Sequence, residues 1–505
     1  MSRLTRMFAL AVGLRLICVG DFAMADNLFE ASIDELQAQM SSGAITAEDL
    51  VRYYLVRIDA YDARLNAVMV VNPKAVQEAR TLDAERRQKG TRGPLHGIPV
   101  IVKDNYETIG MATTAGSASL KGFAPDRDAF QVAKLKSAGA IILGKATMHE
   151  FAYGITTVGS GFGETRNPYD LTRTPGGSSG GTGAAVAANF ATFGMGSDTC
   201  GSIRIPAAHN NLVGLRGTQG LSSRTGIIPL SHTQDIGGPL ARSVKDLAYA
   251  LDATVGYDPA DPQSAESVGQ IRGSYAEQLD AYRLDGRRIG LIETSLTDAS
   301  AEVRTLIRAA AKELEALGVE VPTVTFDHKT LLTERPTDGF LVLSYDFRGD
   351  INRYFTANPT IGFESLAAFI ATGEYHPQIK PMLEGSEYSG AEMEPAYHSE
   401  LANRKHVRQT LLALLADNQL DALLYPTMRE IPALVGEIQD DNNCMLSAVS
   451  GLPALAIPAG FTKTGIPIGM ELLGPMWSEP KLLGLGYQIE QARPQRRAPD
   501  NVPPL

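Results

Sequence analysis

Cysteine and histidine are scarce in this chain, and positive charge is not in excess. The 505 residues include 3 cysteines and 8 scattered histidines, and His149-Glu150 has no second histidine at helical spacing, so we predict neither a metal site nor a disulfide framework. The 46 basic and 57 acidic residues give a net charge of −11 without a basic cluster, which argues against a nucleic-acid partner. Beyond the N-terminal region, no stretch is long and apolar enough to span a bilayer. What remains is a large globular chain, for which we predict no cofactor.

The first 25 residues have the features of an export signal. A basic start is followed by an apolar stretch from Met7 to Val19 and by Ala23-Met24-Ala25, a small-x-small cleavage site. Arg15 interrupts the apolar stretch, and an amphipathic N-terminal helix of a cytoplasmic protein is the alternative. We predict an exported protein, periplasmic or secreted, with residues 26–505 as the mature chain and no membrane anchor after processing.

Removal of the signal would take Cys18 with it and leave Cys200 and Cys444. One bridge between these two is allowed in an oxidising compartment. The default expectation is two separate thiols.

Apolar runs that alternate with helical segments predict an α/β fold. Gly97–Val102 and Ala140–Leu143 have the continuous apolar pattern of buried strands, with a helix over Asp128–Ser137 between them. Leu420–Tyr425 and Ala454–Pro458 are predicted to be late strands that rejoin the same sheet.

Two other stretches are harder to interpret. Pro206–Leu215 has a helical pattern. Residues 330–400 have weak periodicity and many aromatic side chains, and we expect this variable region to supply most of a substrate pocket.

The segment Thr174–Pro206 places serines among glycines at two points, Gly177-Ser178-Ser179-Gly180 and Gly201-Ser202. A small-residue run between them, Gly183–Ala191, predicts a short helix rather than a flexible linker. Glycine allows tight turns and close approach of other groups, so serine hydroxyls would lie beside free backbone N–H groups. Acyl transfer needs this combination of nucleophile and oxyanion hole.

An α/β-hydrolase esterase is one interpretation of these serines, because G-x-S-x-G occurs in two frames, centred on Ser178 and Ser179. That motif needs a strand directly before it, and Asn167–Pro175 is not a strand pattern. It also needs a later acid and histidine, and His398 and His406 lie in a charged helical stretch. We therefore rank this interpretation low.

A lysine follows the first buried strand, and its role has two interpretations. The Lys103 ammonium either reaches water or pairs with Asp104, or it is desolvated and serves as a base with a lowered pKa. The strand pattern alone favours the first interpretation.

Three separated motifs, in this order and spacing, resemble the amidase signature family: Lys103 after a buried strand, Gly176–Gly181, and Gly196–Ala207. The resemblance extends from about Ser32 to the C-terminal region and includes Gly451–Ala454. It implies one amidase domain over residues 26–505 with its core signature at about 95–245. It also implies an α/β fold with a central mixed twisted sheet flanked by helices on both faces.

The resemblance assigns roles by position. It implies a Ser–cis-Ser–Lys triad in which Ser202 is the nucleophile, Ser178 the bridging serine and Lys103 the base. The oxyanion hole would consist of the backbone N–H groups of Thr199, Cys200, Gly201 and Ser202, and structural support would come from Asp198, Arg204 and Ser179. No metal is implied.

Cys200 departs from the family, which usually has glycine at this position. A backbone N–H does not depend on its side chain, so an oxyanion hole is compatible with cysteine. The added β-carbon would narrow the pocket and alter substrate preference.

Within the family, the segments Gly226–Ser243 and Gly474–Pro480 are most similar to bacterial peptide-amidase-type enzymes. We therefore expect hydrolysis of a small-molecule or peptide amide to acid plus ammonia or amine. The alternative is the glutaminase subunit of a tRNA-dependent amidotransferase, which the export signal disfavours. A catalytically inactive binding protein ranks last, because all three triad positions are filled. No oligomeric state is implied.

Overall fold

The computed structural model describes residues 27–326 and 340–505. The predicted signal over residues 1–25, Cys18 included, lies outside the described residues, as does part of the variable region. Among the helices of the described ranges, none combines the length and apolar character needed to cross a membrane.

Helices and strands alternate along most of the chain. The helices are α1 Ile33–Ser42, α2 Ala47–Leu65, α3 Ala75–Lys89, α4 Phe130–Ser137, α5 Gly180–Ala187, α6 Arg204–His209, α7 Val244–Thr254, α8 Tyr275–Gln278, α9 Thr294–Thr297, α10 Ala301–Ala316, α11 Phe340–Ala357, α12 Leu366–Ile370, α13 Lys380–Glu387, α14 Glu394–Asp417, α15 Met445–Ser450 and α16 Glu479–Ala492. The strands are β1 Val68–Val71, β2 Pro99–Lys103, β3 Ile141–Ala146, β4 Val158–Gly159, β5 Gly163–Glu164, β6 Phe193–Asp198, β7 Val213–Arg216, β8 Ile236–Ala241, β9 Ile289–Ile292, β10 Thr323–Val324, β11 Ala422–Pro426, β12 Ala454–Phe461 and β13 Pro467–Leu473.

One 11-stranded sheet forms the centre of the molecule, in the order β1-β3-β2-β6-β8-β7-β12-β13-β11-β9-β10. The β2 strand pairs in parallel with β3 and β6, whereas β7, β8, β12 and β13 pair with their neighbours in antiparallel fashion. The predicted mixed sheet is therefore confirmed. The late strands β11 and β12 rejoin the sheet as expected from their apolar runs.

The helical prediction for Pro206–Leu215 is wrong over its second half. The α6 helix ends at His209, and Asn211 adopts a positive φ of 53° before the chain enters β7. The apolar residues Val213 and Leu215 are needed in the sheet, where β7 pairs with β8 and β12. Tertiary pairing thus prevails over local helical periodicity.

The short helix predicted in the serine-rich segment is present as α5, which packs directly on the sheet. A Cβ at Gly181 would come within 2.2 Å of the Thr147 Oγ1, so only glycine allows this approach. The β6 strand, which follows α5, has glycine at alternate positions, and its Gly194 faces the Thr182 methyl group of α5. Helix and strand are thereby held close behind the loops that bear the serines.

The N-terminal helices are fastened to a segment near residue 500. Arg57 of α2 donates to the carbonyl oxygens of Val502 and Pro503, each at 2.9 Å. Glu30 and Arg496 form an ion pair at 2.7 Å. Contacts of very long sequence separation therefore close this side of the fold.

Candidate active site

Two neighbouring parallel strands, β2 and β6, end at the same edge of the sheet. Val102 of β2 is in register with Met195 of β6, and the strands end at Lys103 and Asp198. Carboxyl ends of parallel strands meet at one edge, which is where α/β proteins build their sites. The Nζ of Lys103 accordingly lies 2.8 Å from the Oγ of Ser197.

Lys103 is completely buried among hydroxyl groups. Besides Ser197, its Nζ lies 2.6 Å from the Oγ of Ser178. Burial lowers the pKa of Lys103 to about 7, although the carboxylates of Asp235 and Asp198 act in the opposite direction. A large fraction of this amine is therefore neutral near pH 7.

The Lys103 side chain does not take the surface or ion-pair role that its strand pattern favours. Asp104 instead pairs with Lys145, whose Nζ lies 3.3 Å from the Asp104 Oδ1, and both side chains are buried. The neighbouring acid is thus neutralised by a different lysine. Lys103 therefore forms hydrogen bonds with the hydroxyl groups of Ser178 and Ser197 and no ion pair with Asp104.

Ser179 connects the loop that carries Ser178 with the turn that carries Ser202. The peptide bond between Gly177 and Ser178 is cis. The amide of Ser179 donates to the carbonyl oxygen of Ser202 at 3.2 Å, and the Ser179 Oγ donates to the carbonyl oxygen of Ser197 at 3.2 Å. Ser179 therefore links the Ser178 loop both to β6 and to the Ser202 turn.

Asp198 organises the turn that carries Ser202. Its carboxylate accepts the amides of Gly201 at 2.7 Å and Ile203 at 3.1 Å. Gly201 has a positive φ of 87°, a conformation that favours glycine. The Gly201 amide, expected to be a free oxyanion donor, is therefore already used by Asp198. Among the described residues, the amides of Thr199, Cys200 and Ser202 have no protein acceptor.

Two buried arginines hold Asp198 in its charged form. Arg204 Nε lies 3.1 Å from Asp198 Oδ2, and Arg216 Nη1 lies 3.0 Å from Asp198 Oδ1. Arg204 also pairs with the buried Glu471 at 2.7 Å. These cations hold the pKa of Asp198 well below its usual range despite burial. The predicted supporting pair of Asp198 and Arg204 is thus part of a larger ionic network.

Cys200 and Cys444 form a disulfide, so the expectation of two separate thiols is wrong. The two residues are 244 positions apart, and their Cα atoms lie 5.1 Å apart. The tertiary fold brings the Cys200 turn against the N-terminus of α15, where Met445 follows Cys444. Sequence spacing alone contains no signal for such a distant pair.

A cavity of about 590 Å³ opens at the Ser202 turn. Its lining is mainly apolar and includes Tyr153, Ile155, Leu230, Leu343, Met382 and Met445. Polar groups come from Thr156, Ser344, Gln378, Gln439, Asp440 and Asn442. Among the described residues that line it there is no lysine or arginine. The volume lies within the range of small-ligand sites.

A second group of polar side chains, His232, Asp346 and Asp350, lies close enough together to resemble a metal site. His232 Nδ1 lies 3.0 Å from Asp350 Oδ2, and the Tyr397 hydroxyl donates to Asp346 at 2.7 Å. Protein groups therefore already satisfy these carboxylates. The cluster lies outside the lining of the Ser202 cavity.

Three residues of the site had no role predicted from the sequence: Ser197, Glu471 and His149. Ser197 precedes Asp198 at the end of β6, and this position in the sequence could have indicated that Ser197 belongs to the site. Glu471 reaches Arg204 from β13, and the ring of His149 lines the cavity from the loop after β3. Only the fold brings these two into place.

Comparison with known proteins gives a consistent result. The family model described as Amidase matches residues 49–483. A glutamyl-tRNA(Gln) amidotransferase subunit of Synechococcus sp. (strain JA-3-3Ab) is 35% identical over 492 residues, which cover 94% of each chain. The solved structure of native peptide amidase from Stenotrophomonas maltophilia is 39% identical, has a TM-score of 0.86, and covers 93% of this chain and 98% of that one. The structure of a glutamyl-tRNA(Gln) amidotransferase subunit from Thermotoga maritima is 27% identical, has a TM-score of 0.73, and covers 94% of this chain and 98% of that one.

Proposed function

Because the chain belongs to the amidase family and is an amide-hydrolysing enzyme, we propose that Lys103, Ser178 and Ser202 form its catalytic triad. Ser202 is the nucleophile, Ser178 relays protons and Lys103 is the base. The observation that carries this assignment is the fully buried Lys103 amine, 2.6 Å from the Ser178 hydroxyl and with a pKa lowered to about 7. A serine hydroxyl needs such a base before it can attack an amide.

The proposed reaction has two halves. In the first, the Ser202 Oγ attacks the amide carbon, its proton passes to Ser178, and the Ser178 proton passes to neutral Lys103. Protonated Lys103 then returns a proton through Ser178 to the leaving nitrogen, the C–N bond breaks, and an acyl ester on Ser202 remains. In the second half, water attacks this ester by the same proton route and releases the acid.

The developing oxyanion needs donors that are fixed in advance. The amides of Thr199, Cys200 and Ser202 support this role, because no protein acceptor among the described residues uses them. The amide of Gly201 is not proposed as an oxyanion donor, because it donates to the carboxylate of Asp198. This hydrogen bond stabilises the shape of the turn that carries Ser202. Asp198, Arg204 and Ser179 act as structural support for the same turn.

The residues that line the cavity favour a substrate with an uncharged acyl group, such as a peptide amide. The described residues that line the cavity are largely apolar and include no lysine or arginine. Asp440, which carries a carboxylate, is one of the lining residues. A free amino acid such as glutamine carries a carboxylate that would need a cation in such a site. The similarity to the peptide amidase of Stenotrophomonas maltophilia supports the same substrate class.

A second candidate is the glutaminase component of a glutamyl-tRNA(Gln) amidotransferase. The curated relatives favour it, because amidotransferase subunits of this name match nearly the full chain at 34–35% identity. This function requires partner subunits and free glutamine as ammonia donor. A single assay separates the two candidates.

The assay measures ammonia release from a panel that contains a C-terminally amidated dipeptide, an aryl amide, a fatty amide and glutamine. Purified wild-type protein is compared with Ser202→Ala. We expect release from the dipeptide amide by the wild type alone. Turnover of glutamine in preference to the peptide amide would replace the proposed substrate with that of the second candidate.

We also propose that the protein is exported, in a periplasmic or secreted form, with no membrane anchor after processing. The disulfide between Cys200 and Cys444 supports this location, because such bonds persist in oxidising compartments. N-terminal sequencing of protein from its own host tests the proposal. We expect a mature N-terminus near Asp26. An intact N-terminus on cytoplasmic protein would reject export and favour the amidotransferase candidate.

A further inference from the structure

Asp235 is a buried acid directly before β8, and the proposed triad does not include it. In the antiparallel pair of β6 and β8, Asp198 is opposite Ile236. The next residues along the two chains, Thr199 and Asp235, are therefore neighbours as well, and the Thr199 Oγ1 donates to the Asp235 Oδ1 at 2.5 Å. The register of the sheet thus brings an acid to the beginning of the Ser202 turn.

The other carboxylate oxygen of Asp235 binds a loop at the wall of the cavity. Its Oδ2 accepts the backbone amides of Leu230 at 2.8 Å and Ser231 at 2.9 Å. Leu230 and Thr199 both line the cavity at Ser202. One carboxylate therefore connects the wall of the cavity with the turn that carries Ser202.

The charge of Asp235 also acts on the proposed base. Burial raises the pKa of Asp235, and its three hydrogen bonds act in the opposite direction because they favour the charged carboxylate. The carboxylates of Asp235 and Asp198 both favour the ammonium form of Lys103, against the effect of burial. Asp235 thus influences the proposed base through space and the Ser202 turn through a hydrogen bond.

We propose that Asp235 is a positioning residue for amide hydrolysis, and that it fixes Thr199 through its hydroxyl so that the Thr199 amide faces the developing oxyanion. This inference rests on the proposed function. The Thr199 amide has no protein acceptor among the described residues. An oxyanion donor is most effective when it is already in place before the charge develops. A hydrogen bond from the Thr199 side chain to a buried carboxylate provides this constraint.

Gln234 holds Thr199 from a second direction. Its Nε2 donates to the carbonyl oxygen of Thr199 at 3.2 Å, and its own carbonyl oxygen accepts from Arg216 at 2.8 Å. These hydrogen bonds do not involve the Asp235 side chain. Loss of the Thr199 hydroxyl should therefore loosen the turn without unfolding it, so that catalysis responds more than folding.

The first experiment changes only the hydroxyl of Thr199. Thr199→Val removes it and keeps a β-branched side chain, whereas Thr199→Ser keeps it. Ammonia release gives kcat and KM on whichever amide of the panel the wild type cleaves best. We expect Thr199→Val to lower kcat about ten- to hundredfold with KM changed less than about threefold, because the lost interaction belongs to the transition state. Thr199→Ser should recover most of this loss, and equal kcat values for the two variants would overturn the inference.

A double-mutant cycle tests whether Asp235 acts through Thr199. If it does, adding Thr199→Val to Asp235→Ala should lower kcat little further, whereas multiplied losses would show independent roles and overturn the inference. If Asp235→Ala does not fold, the Thr199 variants and the pH profile described next decide the question.

The pH profile provides a readout that a purely structural acid would not change. Asp235→Asn keeps an oxygen for the two loop amides, and its NH₂ group can donate to the Thr199 hydroxyl. It removes a carboxylate that favours the Lys103 ammonium, so the acidic limb of kcat/KM should move to lower pH. Asp59→Asn, an exposed substitution on α2, is the control and should leave the limb in place. An unmoved limb in Asp235→Asn would overturn the influence of Asp235 on the base.

Failure of the proposed function would have a separate signature. Hydrolysis by Ser202→Ala would refute the triad whatever the Thr199 variants do. Preferential turnover of glutamine would change the substrate class but leave the comparison of Thr199→Val with Thr199→Ser valid, because that comparison uses the amide that is cleaved.

Discussion

Cys444 is covalently bonded to Cys200, the residue two positions before Ser202. The bond joins the Ser202 turn to α15, and both cysteines line the cavity together with Met445. Cys200 also contributes one of the three amides left without a protein acceptor among the described residues. The oxidation state of this pair therefore bears on both stability and catalysis.

Reduction of this disulfide should lower both the melting temperature and kcat/KM. A native disulfide contributes about 2–4 kcal/mol to the free energy of unfolding, and its loss releases the turn that carries the Cys200 amide. The measurement is activity and thermal unfolding of the wild type with and without a dithiol reductant. A Cys200→Ser, Cys444→Ser double variant is the control, and it should resemble the reduced wild type and ignore the reductant. Unchanged activity and melting temperature would show that the bridge does not hold the turn.

Ser202→Ala should reduce amide hydrolysis by about 10⁴-fold or more, because no acyl-enzyme can form. Lys103→Ala and Ser178→Ala should each cause a severe loss, since either removal interrupts the proton route. Circular dichroism and thermal unfolding establish that each variant is folded. Ser42→Ala, an exposed serine at the end of α1, serves as the matched control and should be fully active. Substantial hydrolysis by pure Ser202→Ala protein would refute the mechanism.

The pH profile should show an acidic limb near the pKa of Lys103. The active form is the neutral amine, and burial lowers the pKa of this group to about 7. The neutral fraction grows as pH rises through that value, so kcat/KM should fall about tenfold per unit below it and level off above it. An uncharged peptide amide is the suitable substrate, because its own ionisation does not contribute. A constant kcat/KM between about pH 6 and 8 would exclude a base with this pKa.

Arg204→Ala should destabilise the protein by about 3–5 kcal/mol, because it leaves the buried carboxylates of Asp198 and Glu471 without their shared cation. Arg80→Ala is the matched control. It removes an ion pair with Glu48 of the same 2.7 Å length at the surface, which is worth less than about 1 kcal/mol. Denaturant unfolding gives both values. Similar small losses in the two variants would mean that the Asp198 network contributes little.

The parts of the site that follow from sequence are those encoded over short distances. Lys103 directly follows an apolar strand, and the Ser178 and Ser202 turns are marked by adjacent glycines, so local pattern and spacing were sufficient to place them. The buried state of Lys103 was not predictable in this way, because the strand pattern alone favoured an exposed or ion-paired lysine. That outcome depends on Lys145, which neutralises Asp104 from the neighbouring strand.

The remaining features depend on residues that meet only in the folded chain. The β6 strand was missed because glycine at alternate positions gives it little strand propensity, and its stability comes from pairing with β2 and β8. Glu471 lies 267 positions from Arg204, and Cys444 lies 244 positions from Cys200. No local pattern specifies partners at such distances.

The hydrogen bonds of Arg57 have a consequence for the order in which this protein matures. This buried guanidinium donates to the carbonyl of Ala188, 131 residues further along the chain, and to that of Val502, 445 residues further along. During vectorial synthesis Arg57 therefore gains its last acceptors, Val502 and Pro503, only when nearly the whole sequence of 505 residues has been translated. The β12 strand, which lies between β7 and β13 in the sheet, is also translated late. We therefore expect α2 to reach its final packing only after translation, so that a long, incompletely folded nascent chain is the state that chaperones would encounter.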